Sequence, residues 1–169
     1  MKKNLALTGM MGVGKSTIGS TLSKRLLMQF ADVDKIIENK LKMTVNEIFN
    51  VNGESFFRKQ EEQITLQEAK KNNTVISLGG GAFVNTKIRK EILRNTKSFW
   101  LDLDLELIEK RLINSQKRPL LDGNNLTKTL EKIYNERKKT YSMADHKINC
   151  TGLSVKLITN QIIKIYADN

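Results

Sequence analysis

The eight residues at positions 9–16, Gly-Met-Met-Gly-Val-Gly-Lys-Ser, constrain the fold of this chain more than any other segment. They match the phosphate-loop pattern G-x-x-x-x-G-K-[ST]. Residues 4–8, Asn-Leu-Ala-Leu-Thr, are typical of a short buried strand. After the loop, Ile18, Leu22 and Leu26 recur every fourth residue, as on one face of a helix. This context favours a phosphate-binding turn over a plain glycine-rich turn with an exposed lysine.

The chemistry of the predicted phosphate loop, residues 9–17, follows from its glycines and its helix. Glycines let the backbone wrap closely, so that successive N–H groups point at phosphate oxygens, and the helix N-terminus adds a positive dipole end. Lys15 can reach the β and γ phosphates, and the Ser16 hydroxyl can ligate Mg²⁺. We therefore expect nucleotide binding by Gly12, Val13, Gly14, Lys15, Ser16 and Thr17.

Composition limits the other classes of function. The chain of 169 residues fits one domain, residues 1–169, with an ordinary globular composition. No apolar run could span a bilayer, the first residues lack signal-peptide organisation, and the single Cys150 fits a reducing compartment, so we expect a cytoplasmic protein. The net charge of +11 fits nucleic-acid binding or charges spread over solvated faces, and the scattered lysines favour the second reading.

Strand and helix signals alternate along the chain, which predicts a parallel sheet flanked by helices. We predict five strands, at Leu5–Thr8, Phe30–Val33, Thr74–Leu78, Ser98–Leu101 and Lys147–Cys150. We predict eight helices, at Lys15–Met28, Lys35–Leu41, Thr44–Phe49, Glu54–Lys71, Lys87–Asn95, Leu105–Ser115, Thr127–Ser142 and Leu153–Tyr166. The polar stretch 115–125 holds the only proline and has no periodicity, which is typical of a functional or disordered loop.

Two aspartates, Asp32 and Asp34, stand at the end of the second predicted strand. Alternation puts them on the same side of that strand, and ligands of open α/β sheets bind beyond the carboxyl ends of the strands. Near a phosphate loop, such a pair suits a metal partner and a proton acceptor. For Asp34 the alternative is a helix cap.

Three further features bear on whether a second ligand binds. The glycines at 79–81 end a buried strand and leave bare backbone where a ligand can approach, which a tight turn alone rarely requires. Arg137 lies beside an apolar helical stripe and needs a partner, either a bound carboxylate or an internal acid. Arg58 taken alone is most simply a surface arginine paired with a neighbouring glutamate.

Taken together, these segments make the chain similar to the shikimate kinases over nearly its whole length and in the same order. The segments are Gly-Met-Met-Gly-Val-Gly-Lys-Ser-Thr at 9–17, Asp32-Val33-Asp34, Ile48-Phe49, Gly53-Glu54, Phe56-Phe57-Arg58, the glycines at 79–81, Arg118-Pro119-Leu120-Leu121, and Arg137 with Tyr141. The resemblance implies ATP-dependent phosphorylation of the shikimate 3-hydroxyl, in the synthesis of aromatic amino acids. It implies a nucleoside-monophosphate-kinase-like fold with five parallel strands, a substrate-binding helical region at about 34–62 and a lid at about 113–125.

On the acceptor side, the resemblance implies that Asp34 holds the shikimate hydroxyls and accepts the proton of the attacking hydroxyl. Arg58 and Arg137 would clamp the carboxylate of shikimate. The backbone of Gly79, Gly80 and Gly81 would face the substrate, with Gly80 in direct contact. The expected partners are ATP and shikimate, and we expect a monomer that binds neither nucleic acid nor a membrane.

On the donor side, the resemblance implies a different set of roles. Ser16 and Asp32 would serve Mg²⁺, with Asp32 acting through water. Arg111 would lie against the adenine. Lys15 and Arg118 would stabilise the charge on the transferring phosphate, with Arg118 reaching it from the lid.

Two other classes of protein share parts of this pattern. A gluconate-kinase-like or nucleotide kinase would share the loop and the lid but needs a different acceptor site, against which Arg58, Arg137 and the triple glycine argue. A nucleic-acid-dependent ATPase or a regulatory nucleotide-binding module would use the +11 charge. Such a protein usually needs a switch or coupling element, and the sequence gives no signal of one.

Overall fold

A sheet of five parallel strands organises the fold. The computed structural model describes residues 4–114 and 125–168. The strands are β1 Asn4–Thr8, β2 Gln29–Asp32, β3 Thr74–Ser77, β4 Thr96–Asp102 and β5 His146–Asn149. Their order across the sheet is β2-β3-β1-β4-β5, and every neighbouring pair is parallel. The predicted parallel sheet of five strands is therefore confirmed.

Eight α-helices accompany the strands in this part of the chain. They are α1 Lys15–Leu26, α2 Val33–Leu41, α3 Val45–Asn52, α4 Glu54–Ala69, α5 Thr86–Asn95, α6 Leu105–Ile113, α7 Leu126–Tyr141 and α8 Val155–Ala167, with a 3₁₀ turn at Ala82–Val84. All eight predicted helices are present, and their ends differ from the predicted ones by a few residues. None of these helices is long and apolar enough to cross a membrane.

The centre of the sheet forms the hydrophobic core. Leu5 and Leu7 of β1 are fully buried, with Val75 and Ile76 of β3 on one side and Phe99 of β4 on the other. Helices cover a parallel sheet on both faces, which is why its strands consist of nearly continuous apolar residues. Each such side chain contributes roughly 1.5–3 kcal/mol on burial, so these side chains stabilise the centre of the sheet.

The parallel arrangement also sets the position of the site. The carboxyl ends of all five strands lie at one edge of the sheet. The phosphate loop follows β1 at this edge, Asp32 ends β2, and the three glycines follow β3 after one residue. Segments that are far apart in sequence therefore meet beyond one edge, as expected for a ligand site of an open α/β sheet.

Helix α1 ends two residues earlier than the sequence predicts. Leu27 adopts a left-handed conformation, with φ of 54°, and its N–H donates to the Lys24 carbonyl. The next N–H, that of Met28, donates to the Ser23 carbonyl at 2.8 Å. These bonds close the helix in the way that a glycine usually does, which the sequence conceals because leucine stands at this position.

Leu27→Gly should stabilise the protein. The side chain is 86% exposed, so little packing is lost. A non-glycine residue in this conformation costs about 1–2 kcal/mol, part of which the greater freedom of glycine in the unfolded chain cancels. We expect the free energy of unfolding to rise by about 0.5–1 kcal/mol in urea titration. Leu27→Ala is the control, and a glycine variant no more stable than the alanine variant would contradict the expectation.

Candidate active site

The phosphate loop is held against the end of β4. Gly9 and Gly14 have positive φ angles, and the Leu101 carbonyl oxygen stands where a Cβ of Gly9 would lie. Only glycine fits at that position. The Lys15 side chain is 9% exposed, and its Nζ donates to the carbonyl oxygens of Gly9 at 2.9 Å and Met10 at 2.8 Å. The ammonium group is thus anchored across the start of the loop.

The other loop residues of the predicted nucleotide site precede and follow Lys15 in the sequence. Gly12 has a φ of 77°, and Val13 is buried. Ser16 and Thr17 are exposed on the first turn of α1, where the helix presents its unpaired N–H groups. The segment therefore has the local geometry of an anion-binding helix N-terminus.

A cavity of about 370 Å³ adjoins the loop on the side of α6 and α8. Arg111 of α6 donates from Nη1 to the carbonyl oxygens of Gly12 at 3.2 Å and Val13 at 3.0 Å. Cys150 and Leu153 line the same cavity, and burial raises the pKa of the Cys150 thiol to about 11. The thiol is therefore neutral at physiological pH, and this wall suits an uncharged ring such as a nucleotide base.

A more open cavity of about 620 Å³ contains Ser16 and Asp32. Asp32 Oδ1 accepts from the backbone N–H of Lys35 at 3.2 Å and caps α2. Its Oδ2 is buried and has no hydrogen-bond partner among the described residues. An unpaired buried carboxylate oxygen is unfavourable, so a cation or its water shell would complete this arrangement.

Within residues 4–114 and 125–168, no group of three or more His, Cys, Asp or Glu side chains could hold a metal ion. Mg²⁺ fits Ser16 and Asp32 all the same, because this ion usually keeps several waters and uses few protein ligands together with phosphate oxygens.

The prediction that Asp32 and Asp34 share one side of a strand is wrong. Strand β2 ends at Asp32, and Asp34 lies in the first turn of α2. Asp32 and not Asp34 caps this helix. The reason is that the cap residue keeps an extended backbone while the next residue already begins the helix, so alternation stops there.

A third cavity, of about 300 Å³, brings together most of the predicted acceptor site. The predicted residues that line it are Asp34 of α2, Arg58 of α4, Gly80 and Gly81 after β3, and Arg137 of α7. Phe49 of α3 and Phe57 of α4 line it too, with their rings 4.9 Å apart between centroids. Glu54 and Glu61 of α4 complete the lining, so the cavity combines two guanidinium groups, three carboxyl groups and an aromatic wall.

Gly79 is buried and does not line this cavity. A Cβ at this position would meet Glu61 Oε1, and it would lie 2.8 Å from Asp34 Oδ1. The Glu61 and Asp34 oxygens are both closer to this position than a real Cβ atom normally allows. The two carboxylate groups therefore occupy the space that a side chain at 79 would fill.

The next two glycines contact two other parts of the site. A Cβ on Gly80 would lie 3.3 Å from the backbone nitrogen of Met11, in the phosphate loop. A Cβ on Gly81 would lie 2.8 Å from Arg58 Nη1. The backbone of the glycine turn at 79–81 therefore lies directly between the phosphate loop and the acceptor cavity.

Arg58 forms the ion pairs that its sequence neighbours suggest, and it lines the cavity as well. Its Nη1 donates to Glu61 Oε2 at 2.8 Å, and its Nη2 donates to Glu54 Oε1 at 3.1 Å. Glu61 is only 2% exposed, and burial raises the pKa of its carboxyl while the Arg58 guanidinium opposes that rise. A nearby Asp34 raises the same pKa further. Glu61 thus holds the orientation of Arg58 from the buried side.

Arg137 has a backbone partner. Its Nη1 donates to the Gly80 carbonyl oxygen at 3.1 Å. The Tyr141 hydroxyl, one helical turn later, donates to the same oxygen. Arg137 makes no ion pair with an Asp or Glu in the described part of the chain, and its charge opposes the rise that burial causes in the pKa of the Glu61 carboxyl. The choice between a bound carboxylate and an internal acid as its partner stays a prediction.

Sequence reasoning missed Glu61, which contacts Arg58 and Gly79. The spacing of three residues from Arg58 on one helix was a usable signal, because residues at i and i+3 are neighbours on a helix surface. Such pairs are usually exposed, and only the fold shows that this acid is buried. Arg118 and most of the predicted lid lie outside the described residues.

Comparison with protein families supports one assignment. The family model described as shikimate kinase matches residues 11–167. A curated shikimate kinase of Bartonella quintana (strain Toulouse) is 39% identical over 163 residues, which is 96% of this chain and 78% of that protein.

Solved structures agree with the family match. A structure of shikimate kinase from Acinetobacter baumannii in complex with shikimate gives a TM-score of 0.94 at 28% identity, over 99% of this chain and 94% of that one. A gluconokinase from Sinorhizobium meliloti gives a TM-score of 0.61 at 12% identity, over 99% and 93% of the two chains, which indicates a common fold only.

Proposed function

The chain belongs to the shikimate kinase family, and on that premise we propose how its residues carry out the reaction. The enzyme transfers the γ-phosphoryl group of ATP to the 3-hydroxyl of shikimate, in the synthesis of chorismate and the aromatic amino acids. Such transfers depend on alignment and charge stabilisation more than on covalent chemistry with the protein. The phosphate loop therefore binds and orients ATP, and the acceptor cavity binds and orients shikimate.

The phosphate loop holds the donor. Backbone N–H groups of the loop and the α1 N-terminus bind the phosphates, and Lys15 neutralises part of their charge. Ser16 and Asp32, the latter through water, would hold Mg²⁺, which would neutralise charge at the phosphates. Arg111, fixed by two loop carbonyls, lies against the adenine in the 370 Å³ cavity. Arg118, outside the described residues, closes over the phosphates from the lid.

The acceptor binds in the 300 Å³ cavity. Arg58 and Arg137 clamp the carboxylate of shikimate, because two guanidinium groups present several N–H donors in fixed planes. Asp34 binds the reacting hydroxyl and accepts its proton during transfer. The single observation that carries this assignment is the pair of arginines and Asp34 in one cavity whose glycine wall touches the phosphate loop at Met11.

The ion pairs of the two arginines support the same roles. Glu54 and Glu61 both pair with Arg58 before any ligand binds, with N–O distances of 3.1 and 2.8 Å. Arg137 makes no ion pair in the described ranges and has spare N–H donors besides the one at Gly80. A small polyhydroxy carboxylate supplies one negative charge and several hydroxyls, which matches this set. Gluconate shares the carboxylate but not the rigid ring, and AMP and DNA present phosphate.

The remaining properties that we propose concern the whole molecule. The chain acts as a single-domain monomer over residues 1–169 in the cytoplasm, with residues 34–62 as the substrate-binding helical region and about 113–125 as the lid. It binds neither nucleic acid nor membranes, and its net charge of +11 draws anionic substrates towards the site.

ADP formation should require shikimate. Coupled assays of the purified protein with ATP and Mg²⁺ should give turnover with shikimate and background rates with gluconate, AMP or DNA. Omission of Mg²⁺ should abolish the reaction, since the phosphate charge is then not neutralised. Comparable turnover with any of the three other compounds would refute the assignment of the acceptor.

Substitutions should separate the acceptor clamp from the phosphate loop. Arg58→Ala and Arg137→Ala should weaken shikimate binding by roughly 2–5 kcal/mol in titration calorimetry, the usual loss when one partner of a buried charged hydrogen bond is removed. Lys15→Ala should reduce the rate at any shikimate concentration and leave shikimate affinity near normal.

Arg89→Ala is the matched control for the clamp. Arg89 also donates to backbone carbonyl oxygens next to the glycine turn, those of Phe83 at 3.0 Å and Val84 at 2.9 Å, but it does not line the cavity. Its loss should leave shikimate affinity unchanged. Wild-type affinity in both clamp variants would rule the clamp out.

A further inference from the structure

The orientation of the peptide unit between Gly80 and Gly81 depends on side chains from α7. In the glycine turn, the Gly79 carbonyl accepts from Ala82 N–H and the Gly81 carbonyl accepts from Val84 N–H, both at 3.1 Å. These two carbonyls are therefore fixed by the turn itself. Among the described residues, the Gly80 carbonyl accepts only from two donors one helical turn apart on α7.

We propose that Tyr141 is a positioning residue for the phosphoryl acceptor, acting through its hydrogen bond to the Gly80 carbonyl. This inference rests on the proposed function, since it concerns binding of the same acceptor. A carbonyl oxygen has two lone pairs, and Arg137 and Tyr141 occupy both. Because the peptide unit is planar and trans, fixing this oxygen also fixes the Gly81 N–H, which points the opposite way.

The fixed N–H groups are available to a ligand. Neither Gly80 N–H nor Gly81 N–H donates to an acceptor in the described part of the chain, and both glycines line the acceptor cavity. The Gly80 N–H shares a peptide unit with the Gly79 carbonyl, which the turn already fixes. Glycine imposes little restriction on its own φ and ψ, so the direction of the Gly81 N–H needs an external constraint. The hydroxyl of Tyr141 supplies that constraint and holds a preorganised donor for an oxygen of the acceptor.

Tyr141 is itself held rigidly. Its side chain is fully buried, and its ring packs against Trp100 with centroids 6.1 Å apart. Burial raises the pKa of the Tyr141 hydroxyl, so the group keeps its proton and remains a donor over the neutral pH range. Because Tyr141 also donates to the Gly80 carbonyl oxygen, that oxygen keeps a hydrogen bond when Arg137 directs its N–H groups to the carboxylate of the acceptor.

Tyr141→Phe tests the role, because it keeps the ring and removes only the hydroxyl. We expect the KM and Kd for shikimate to rise by about five- to tenfold, the effect of about one lost hydrogen bond. The KM for ATP should stay within about twofold, since the phosphate loop keeps its own contacts. If Tyr141 had only a structural role, Tyr141→Phe would lower stability without raising the KM for shikimate more than the KM for ATP.

Tyr134→Phe is the matched control. Tyr134 lies on the same helix, and its hydroxyl donates to Asp102 Oδ2 at 3.4 Å, outside the acceptor cavity. It should leave both KM values unchanged. A shikimate KM for Tyr141→Phe equal to that of Tyr134→Phe would overturn the inference.

A ligand-free measurement separates this inference from the proposed function. In protein labelled with ¹⁵N-glycine, the Gly81 amide signal should shift in Tyr141→Phe, because its peptide unit loses a hydrogen bond at the carbonyl, and it should stay in place in Tyr134→Phe. An unshifted Gly81 signal would contradict the inference even if shikimate is the acceptor. Absence of wild-type turnover with shikimate would refute the proposed function and leave the Gly81 test valid.

Discussion

The absence of side chains at residues 79–81 is the constraint on which the site depends. Space that Cβ atoms would fill is taken by Glu61 and Asp34 at the first glycine, by the Met11 nitrogen of the phosphate loop at the second, and by the Arg58 guanidinium at the third. Because β3 is a central strand beside β1, its end already lies next to the phosphate loop. The glycines convert this proximity into direct contact, and phosphoryl transfer requires the two reactants to be aligned at such short range.

Buried charge explains why the acceptor cavity keeps its form without a ligand. Two arginines and three acids surround about 300 Å³, and one of these acids, Glu61, is nearly inaccessible to water. A charge in such a place needs a partner, which Arg58 provides, and Arg58 in turn gains a fixed plane. From α7, Tyr141 and Arg137 donate hydrogen bonds to the Gly80 carbonyl. Preorganised groups of this kind do not have to reorganise when the reaction begins.

The sequence predicts the scaffold well, because periodicity and glycine patterns are local signals. The five strands, the eight helices and the phosphate loop follow from them, and so does the position of Arg137 beside a core-facing stripe. The error at Asp34 comes from extending strand alternation past Asp32, where the cap starts a helix. The burial of Glu61 and the contact of Tyr141 with Gly80 depend on how α4 and α7 pack around the turn. Such packing joins residues far apart in the chain, and no local pattern encodes it.

The central claim is that bare backbone at position 79 makes room for the carboxylates of Asp34 and Glu61, which shape the acceptor site. It is tested most directly by Gly79→Ala. A methyl group there would displace Glu61 and Asp34, and overpacking of this kind costs about 1–3 kcal/mol. Titration calorimetry should show shikimate affinity reduced by about tenfold or more, with ATP affinity within about twofold of wild type. If the folded variant bound shikimate as tightly as the wild type, the acceptor site would not depend on bare backbone at position 79, and the central claim would be wrong.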